Sequence, residues 1–173
     1  VQYPSSVVLA STCNIELAQE RGEAVGDEAL IYGIDGLMAP AMNIHRTPFS
    51  GRNFEYYSED GYISGMIGAY TVIGLNNRGV NTFVKHFALN DQETNRHGLS
   101  VWANEQSARE LYFRPFELAV KIGKTQGIMS AFNRLGTTWC GASKELLTEV
   151  LRDEWGFVGT VLSDMGVYDY MDP

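Results

Sequence analysis

Five short, mostly apolar runs, each set apart from the next by a segment long enough for a helix, constrain this chain more than any other feature. They are Val7-Val8-Leu9-Ala10, Gly36-Leu37-Met38-Ala39-Pro40-Ala41, Thr82-Phe83-Val84, Gly127-Ile128-Met129-Ser130-Ala131-Phe132 and residues 159–163. Runs that do not alternate apolar with polar fit strands covered on both faces. The segments between them read as helices. Asn14 caps one through about Tyr32, with Ile15, Leu17, Ala18, Val25, Ala29 and Leu30 for its buried face. Gly22 and Gly26 either weaken that helix or permit close packing. Residues 61–78 form a second. Residues 104–122 form a third, with Ala108, Leu111, Tyr112, Phe116 and Ala119 at helical spacing and Pro115 kinking or breaking it. Ser143 caps a fourth to about Glu154, with Leu146, Leu147, Val150 and Leu151 inward. Strand and helix thus alternate, and no hairpin signal is read. The order predicts α/β architecture, a parallel sheet with outer helices. An open doubly wound sheet and a (β/α)8 barrel both satisfy it.

The polar residues gather at the ends of these runs. Thr160-Val161-Leu162-Ser163-Asp164-Met165-Gly166 is a strand that ends in a carboxylate, with a turn behind it. A carboxylate there reads either as a helix or turn cap or, in a barrel, as a group at the catalytic face. Lys85 and His86 follow the third run, Arg96 lies in its loop, Asn133 and Arg134 follow the fourth, and Arg52 lies in the loop after the second. Parallel strands bring all these ends to one face. Cations there would keep Asp164 ionised or donate to the hydroxyls of a polar substrate. Phe54, Tyr56, Tyr57, Trp102 and Trp139 would offer flat faces to sugar rings. Each cation also has a plain structural partner available: Arg52 with Glu55 or Glu59, Arg96 with Glu93, and Lys85 and His86 as loop holders.

Several functions are disfavoured. The net charge of −8, from 13 basic and 21 acidic residues, argues against a nucleic-acid or anionic-membrane surface. No apolar run approaches the roughly 20 residues that span a bilayer. No GxGxxG or Walker A spacing is present, which weighs against nucleotide binding, and no cofactor is expected. His45, His86 and His97 lack metal-ligand spacing, and Ser130 and Ser163 lack a GxSxG turn. Cys13 and Cys140 read as two buried free thiols. The chain opens at Val1 without Met or leader and closes at Pro173 just after the fifth run, as expected of a segment of something longer.

Gly51-Arg52-Asn53-Phe54-Glu55-Tyr56-Tyr57-Ser58-Glu59-Asp60, Lys85-His86-Phe87-Ala88-Leu89-Asn90-Asp91-Gln92-Glu93, Arg96, Met129-Ser130-Ala131-Phe132-Asn133-Arg134, Glu154-Trp155-Gly156-Phe157 and Ser163-Asp164 occur in that order. In these motifs the chain closely resembles the N-terminal catalytic domain of glycoside hydrolase family 3, on the β-glucosidase side. The resemblance spans essentially all 173 residues. It implies a partial (β/α)8 TIM-type barrel, incomplete at both ends, and hydrolysis of terminal β-D-glucosyl residues with retention. It implies Asp164 as the nucleophile, with Arg52, Lys85, His86 and Arg96 holding the hydroxyls of the sugar, and Met129 and Phe132 lining the pocket. Phe132 stands where the family more often has Tyr, and Met165 where it usually has Trp after the nucleophile. A retaining glycosidase needs two carboxyl groups roughly 5–5.5 Å apart. The resemblance puts the general acid/base in a second α/β domain, after Pro173, and a sugar-gripping Asp before Val1. Glu55, Glu59 and Glu93 read as structural ion-pair partners. The expected ligand is a β-glucoside or oligosaccharide. Two other readings stay open: a carbohydrate-binding or scaffold segment without turnover, and a β-xylosidase with the same chemistry.

Overall fold

The structure, a computed structural model, describes residues 2–165. The first apolar run is not a strand. It lies in a short helix, α1 (Ser6–Ala10), with Leu9 and Ala10 buried and Val8 exposed. One-sided burial suits an outer helix, and a four-residue run carries no period that would have excluded it. Next comes α2 (Ile15–Ile31), capped by the Asn14 side chain, which accepts the Leu17 N–H at 2.8 Å. Its buried stripe is Ala18, Gly22, Gly26 and Ala29, while Leu17 and Leu30 face outward. The small residues are there for contact. A Cβ on Gly22 would stand 2.4 Å from the Thr71 carbonyl oxygen of the helix packed against it.

β1 is only Gly36–Leu37, and α3 (Gly61–Asn77) follows the long loop, its first turn capped by Asp60 through the Ile63 N–H at 2.7 Å. β2 (Asn81–Phe87) is the longest strand. After a loop come β3 (Ser100–Val101) and a helix in two parts, α4 (Glu105–Ser107) running into a π-wound turn (Ala108–Tyr112), then α5 (Arg114–Lys121). Pro115 sits in the first turn of α5, where its missing N–H costs nothing, so the break falls just before it. β4 (Gly127–Ser130), β5 (Arg134–Leu135), β6 (Thr138–Trp139), the π-wound helix α6 (Glu145–Glu154) and β7 (Thr160–Leu162) complete the described chain.

The main sheet has the order β1-β2-β4-β7 with every pair parallel. Helices cover its outer side. Phe87 of β2 stacks on Phe116 at 5.1 Å, Trp155 at 5.5 Å and Phe113 at 5.8 Å, which ties the strand to α5 and α6. A second, smaller sheet was not anticipated. β3 pairs parallel with β5, and β5 pairs antiparallel with β6 through a two-residue Gly136-Thr137 turn with Gly136 at φ +62°. Glycine at positive φ in the first turn position is the type II′ hairpin geometry. This is an α/β arc of parallel strands and outer helices. The strands do not close into a barrel among the described residues, in keeping with a partial (β/α)8 arrangement.

Candidate active site

Because β1, β2, β4 and β7 run parallel, the chain leaves each of them on the same side of the sheet. Asp164 lies two residues past Leu162, the last residue of β7. Its Oδ1 accepts the Met165 N–H at 2.8 Å. Its Oδ2 faces Nε2 of His86, from β2, at 3.7 Å. The strand between them, β4, supplies Met129, buried and in register with Leu162.

His86 is 2% exposed and held on several sides. Asn43, from the loop after β1, brackets its backbone. The Asn43 Oδ1 accepts the His86 N–H at 2.8 Å, and the Asn43 Nδ2 donates to the His86 carbonyl at 3.0 Å. The same Oδ1 is 3.4 Å from the ring Nδ1, and the Tyr56 hydroxyl is 3.5 Å from it. Burial, then the positive charges of Arg52, Lys85 and Arg96, hold the imidazole pKa down to about 2, so His86 is neutral.

Those three cations stand near His86, yet carboxylates other than Asp164 hold them. Arg52 is hydrogen-bonded through Nε to Glu55 and lies 3.7 Å from Glu93; Lys85 is 3.5 Å from Glu55; Arg96 donates to Glu93 at 2.7 Å. Burial opposes the Arg52 charge, but the Glu55 hydrogen bond and nearby negative charge outweigh it, and its pKa lies above the ordinary value. Of the expected roles, the structural partners are seen for Arg52 with Glu55 and for Arg96 with Glu93, and a neutral imidazole faces Asp164. Glu59 is exposed and outside this network. Phe132, buried, has the Arg96 guanidinium 4.4 Å from its ring centroid and the His97 ring at 4.6 Å.

The aromatic platforms divide. Tyr56 and Tyr57 are buried and offer no open face, whereas Phe54 and Trp102 are exposed. Trp139 is half-buried and donates from its indole to the Ala131 carbonyl at 3.1 Å. Asn133 is fully buried and braces the Ala88 carbonyl at 3.1 Å. The thiols also divide: Cys13 is exposed, against expectation, while Cys140 is buried and its pKa is pushed up to about 11.

The model of the glycosyl hydrolase family 3 N-terminal domain matches residues 1–171. The chain belongs to this family. Among curated relatives, this family 3 chain is 41% identical over 164 residues to beta-glucosidase B of Emericella nidulans, covering 95% of this chain and 19% of that protein. It is also 41% identical over 164 residues to the thermostable beta-glucosidase B of Acetivibrio thermocellus, covering 95% of this chain and 22% of that one. In structure it is similar to beta-glucosidase 3B from Thermotoga neapolitana, solved in complex with glucose, with a TM-score of 0.92 and 50% identity, covering 94% of this chain and 23% of that chain. The chain thus spans about a fifth of the length of the curated relatives it matches.

Two features of the family 3 site went unread in the sequence. Asn43 was passed over, although a polar residue just beyond an apolar run is the same signal that singled out Asp164. Asp91 carries no signal of its own in the sequence beyond its place between Asn90 and Gln92. Burial raises its pKa to about 7, against the opposing effects of Arg46 and the Ile44 N–H, and its Oδ1 has no hydrogen-bond partner among the described residues.

Proposed function

We propose that residues 1–173 are an incomplete N-terminal barrel domain of a retaining β-glucosidase, with Asp164 as its nucleophile. The observation that carries this reading is the placement of Asp164 past the C-terminal end of β7, its Oδ2 3.7 Å from a buried neutral His86, beside a row of basic donors already fixed by Glu55 and Glu93. The relatives' names and the glucose in one relative's structure support the same substrate class. In this mechanism Asp164 attacks the anomeric carbon through an oxocarbenium-like transition state and forms a glycosyl-enzyme ester. A general acid outside this chain, in a following α/β domain, protonates the departing oxygen and then activates water, which releases the sugar and returns the carboxylate. Arg52, Lys85, His86 and Arg96 hold the hydroxyls of the bound sugar, with Met129 and Phe132 as apolar walls.

The test is intact-mass analysis of the full-length protein after incubation with a 2-deoxy-2-fluoro-β-glucoside bearing a dinitrophenolate. The fluorine slows release of the ester, and the leaving group needs little acid assistance. An adduct of a single sugar on the peptide containing Asp164, together with loss of turnover in Asp164→Asn, is expected. An adduct on another residue, or an Asp164→Asn variant that keeps its rate, removes Asp164 from the role. Sugar binding by folded protein without adduct would favour the binding-only reading instead.

A further inference from the structure

The Asn43 side chain can be oriented in one way only. Its oxygen must face the His86 N–H and its nitrogen the His86 carbonyl, because each of those backbone groups has a single role. That orientation puts an acceptor, Asn43 Oδ1, 3.4 Å from the ring Nδ1. The second neighbour of Nδ1 is the Tyr56 hydroxyl, which is also 3.4 Å from the Asn90 carbonyl. A carbonyl only accepts, so Asn90 competes for the Tyr56 proton, and while it holds that proton the hydroxyl lone pair turns to Nδ1. Asn43 Oδ1 is thus the fixed acceptor beside Nδ1, and the Tyr56 hydroxyl adapts to whichever proton Nδ1 carries. The opposite tautomer would set a lone pair on Nδ1 against that of Asn43 Oδ1 in a site closed to water, an unfavourable arrangement.

We infer that Asn43 is a positioning residue that holds His86 as the neutral Nδ1–H tautomer, so that Nε2 presents a lone pair to the site and accepts a hydroxyl hydrogen instead of donating to Asp164. The 3.7 Å between Nε2 and Asp164 Oδ2 is longer than a hydrogen bond, as expected where Nε2 carries no proton to donate. The depressed imidazole pKa agrees, since it excludes a second ring proton. The consequence is that His86 takes no hydrogen bond to Asp164 Oδ2. That His86 receives a sugar hydroxyl rests on the glycosidase reading above; the tautomer does not.

The experiment is the ¹⁵N spectrum of histidine-labelled full-length protein at neutral pH, with the His86 resonances assigned by their loss in His86→Gln. Nδ1 in the pyrrole-type range and Nε2 in the pyridine-type range are expected. The reverse pattern overturns the inference whether or not the protein hydrolyses glucosides. In Asn43→Ala the Tyr56 hydroxyl is left as the main partner of Nδ1 and can donate to it, so the pattern is expected to shift toward Nε2–H, with kcat/KM for an aryl β-glucoside down roughly tenfold. An unchanged spectrum in that variant removes Asn43 from the role. Should Asn43→Ala fail to fold, Asn43→Asp serves: a carboxylate beside Nδ1 favours the imidazolium, and the His86 titration midpoint should rise above that of wild type. A midpoint no higher than that of wild type overturns the assignment.

Discussion

Glu93 is the group whose loss should do most for its size. Its Oε2 accepts Arg96 at 2.7 Å, its Oε1 accepts the Asn90 side chain at 3.4 Å, and the Arg52 guanidinium lies 3.7 Å away. Glu93→Gln keeps the shape and removes the charge. Arg96 then exchanges a charge-assisted hydrogen bond for a weaker one, a loss of about 1 kcal/mol. Arg52 keeps Glu55 and loses only a longer, partly exposed pair, about 0.2–1 kcal/mol. The sum, about 1–2 kcal/mol of lost orientation in two donors, corresponds to a roughly 5- to 30-fold weaker hold on ligand. The assay is steady-state hydrolysis of an aryl β-glucoside by the full-length protein, with KM and kcat taken separately and folding checked by circular dichroism. The expected result is a KM raised by that factor, while Glu59→Gln, exposed and outside the network, leaves it unchanged. A folded Glu93→Gln variant with KM within twofold of wild type would refute the idea that Glu93 organises the donors.

A second substitution tests the packing that supports this face. A Cβ at Gly74 would stand 2.2 Å from the Gln19 carbonyl oxygen and 2.8 Å from the Glu23 nitrogen, both α2 backbone. Helix propensity alone makes Gly74→Ala about 1 kcal/mol stabilising. The contact makes it about 1–3 kcal/mol destabilising, and the sign of the shift in Tm decides between them.

What was legible from the residues follows from how far each signal reaches. The parallel order was legible because unbroken apolar runs such as Gly127–Ser130 and caps such as Asn14 and Asp60 act within a few residues. The run at Val7 misled because Leu9 and Ala10 bury one side of a helix and four residues define no period. The second strand shrank to Gly36–Leu37, with Ala41 meeting Lys85 only as an isolated bridge; Pro40 between them has no N–H to give a ladder. The Arg134–Trp139 hairpin escaped because strands of two residues show no alternation and Gly136 alone marked the turn. At the site, the residue types were legible and the partners were not. Arg52, Lys85 and Arg96 carry charge in any fold, but the folding of the two loops decides that Glu55 and Glu93 take them and leaves His86 before Asp164.

His86 and Asp91 lie in the same stretch and drive stability in opposite directions with pH. His86 titrates near 6.5 when unfolded and about 2 when folded, so below pH 6.5 the unfolded chain binds a proton that the folded one does not. Its contribution is therefore present above pH 6.5 and is lost on acidification, by about 1.4 kcal/mol per unit. Asp91 titrates near 4 when unfolded and about 7 when folded, so between those values the folded state binds the extra proton. Its contribution is present at acid pH and is lost as pH rises through 7. Between about pH 4 and 6.5 the two slopes oppose and nearly cancel. Each single variant should expose the other. His86→Gln is expected to gain about 2 kcal/mol relative to wild type as pH falls from 6.5 to 5, and Asp91→Asn to lose a similar amount. Urea denaturation of the full-length proteins at pH 5, 6 and 7 measures both. Curves that run parallel to wild type would mean that neither group is held away from its ordinary pKa. A change in only one variant would leave the burial argument standing for that residue and sink it for the other.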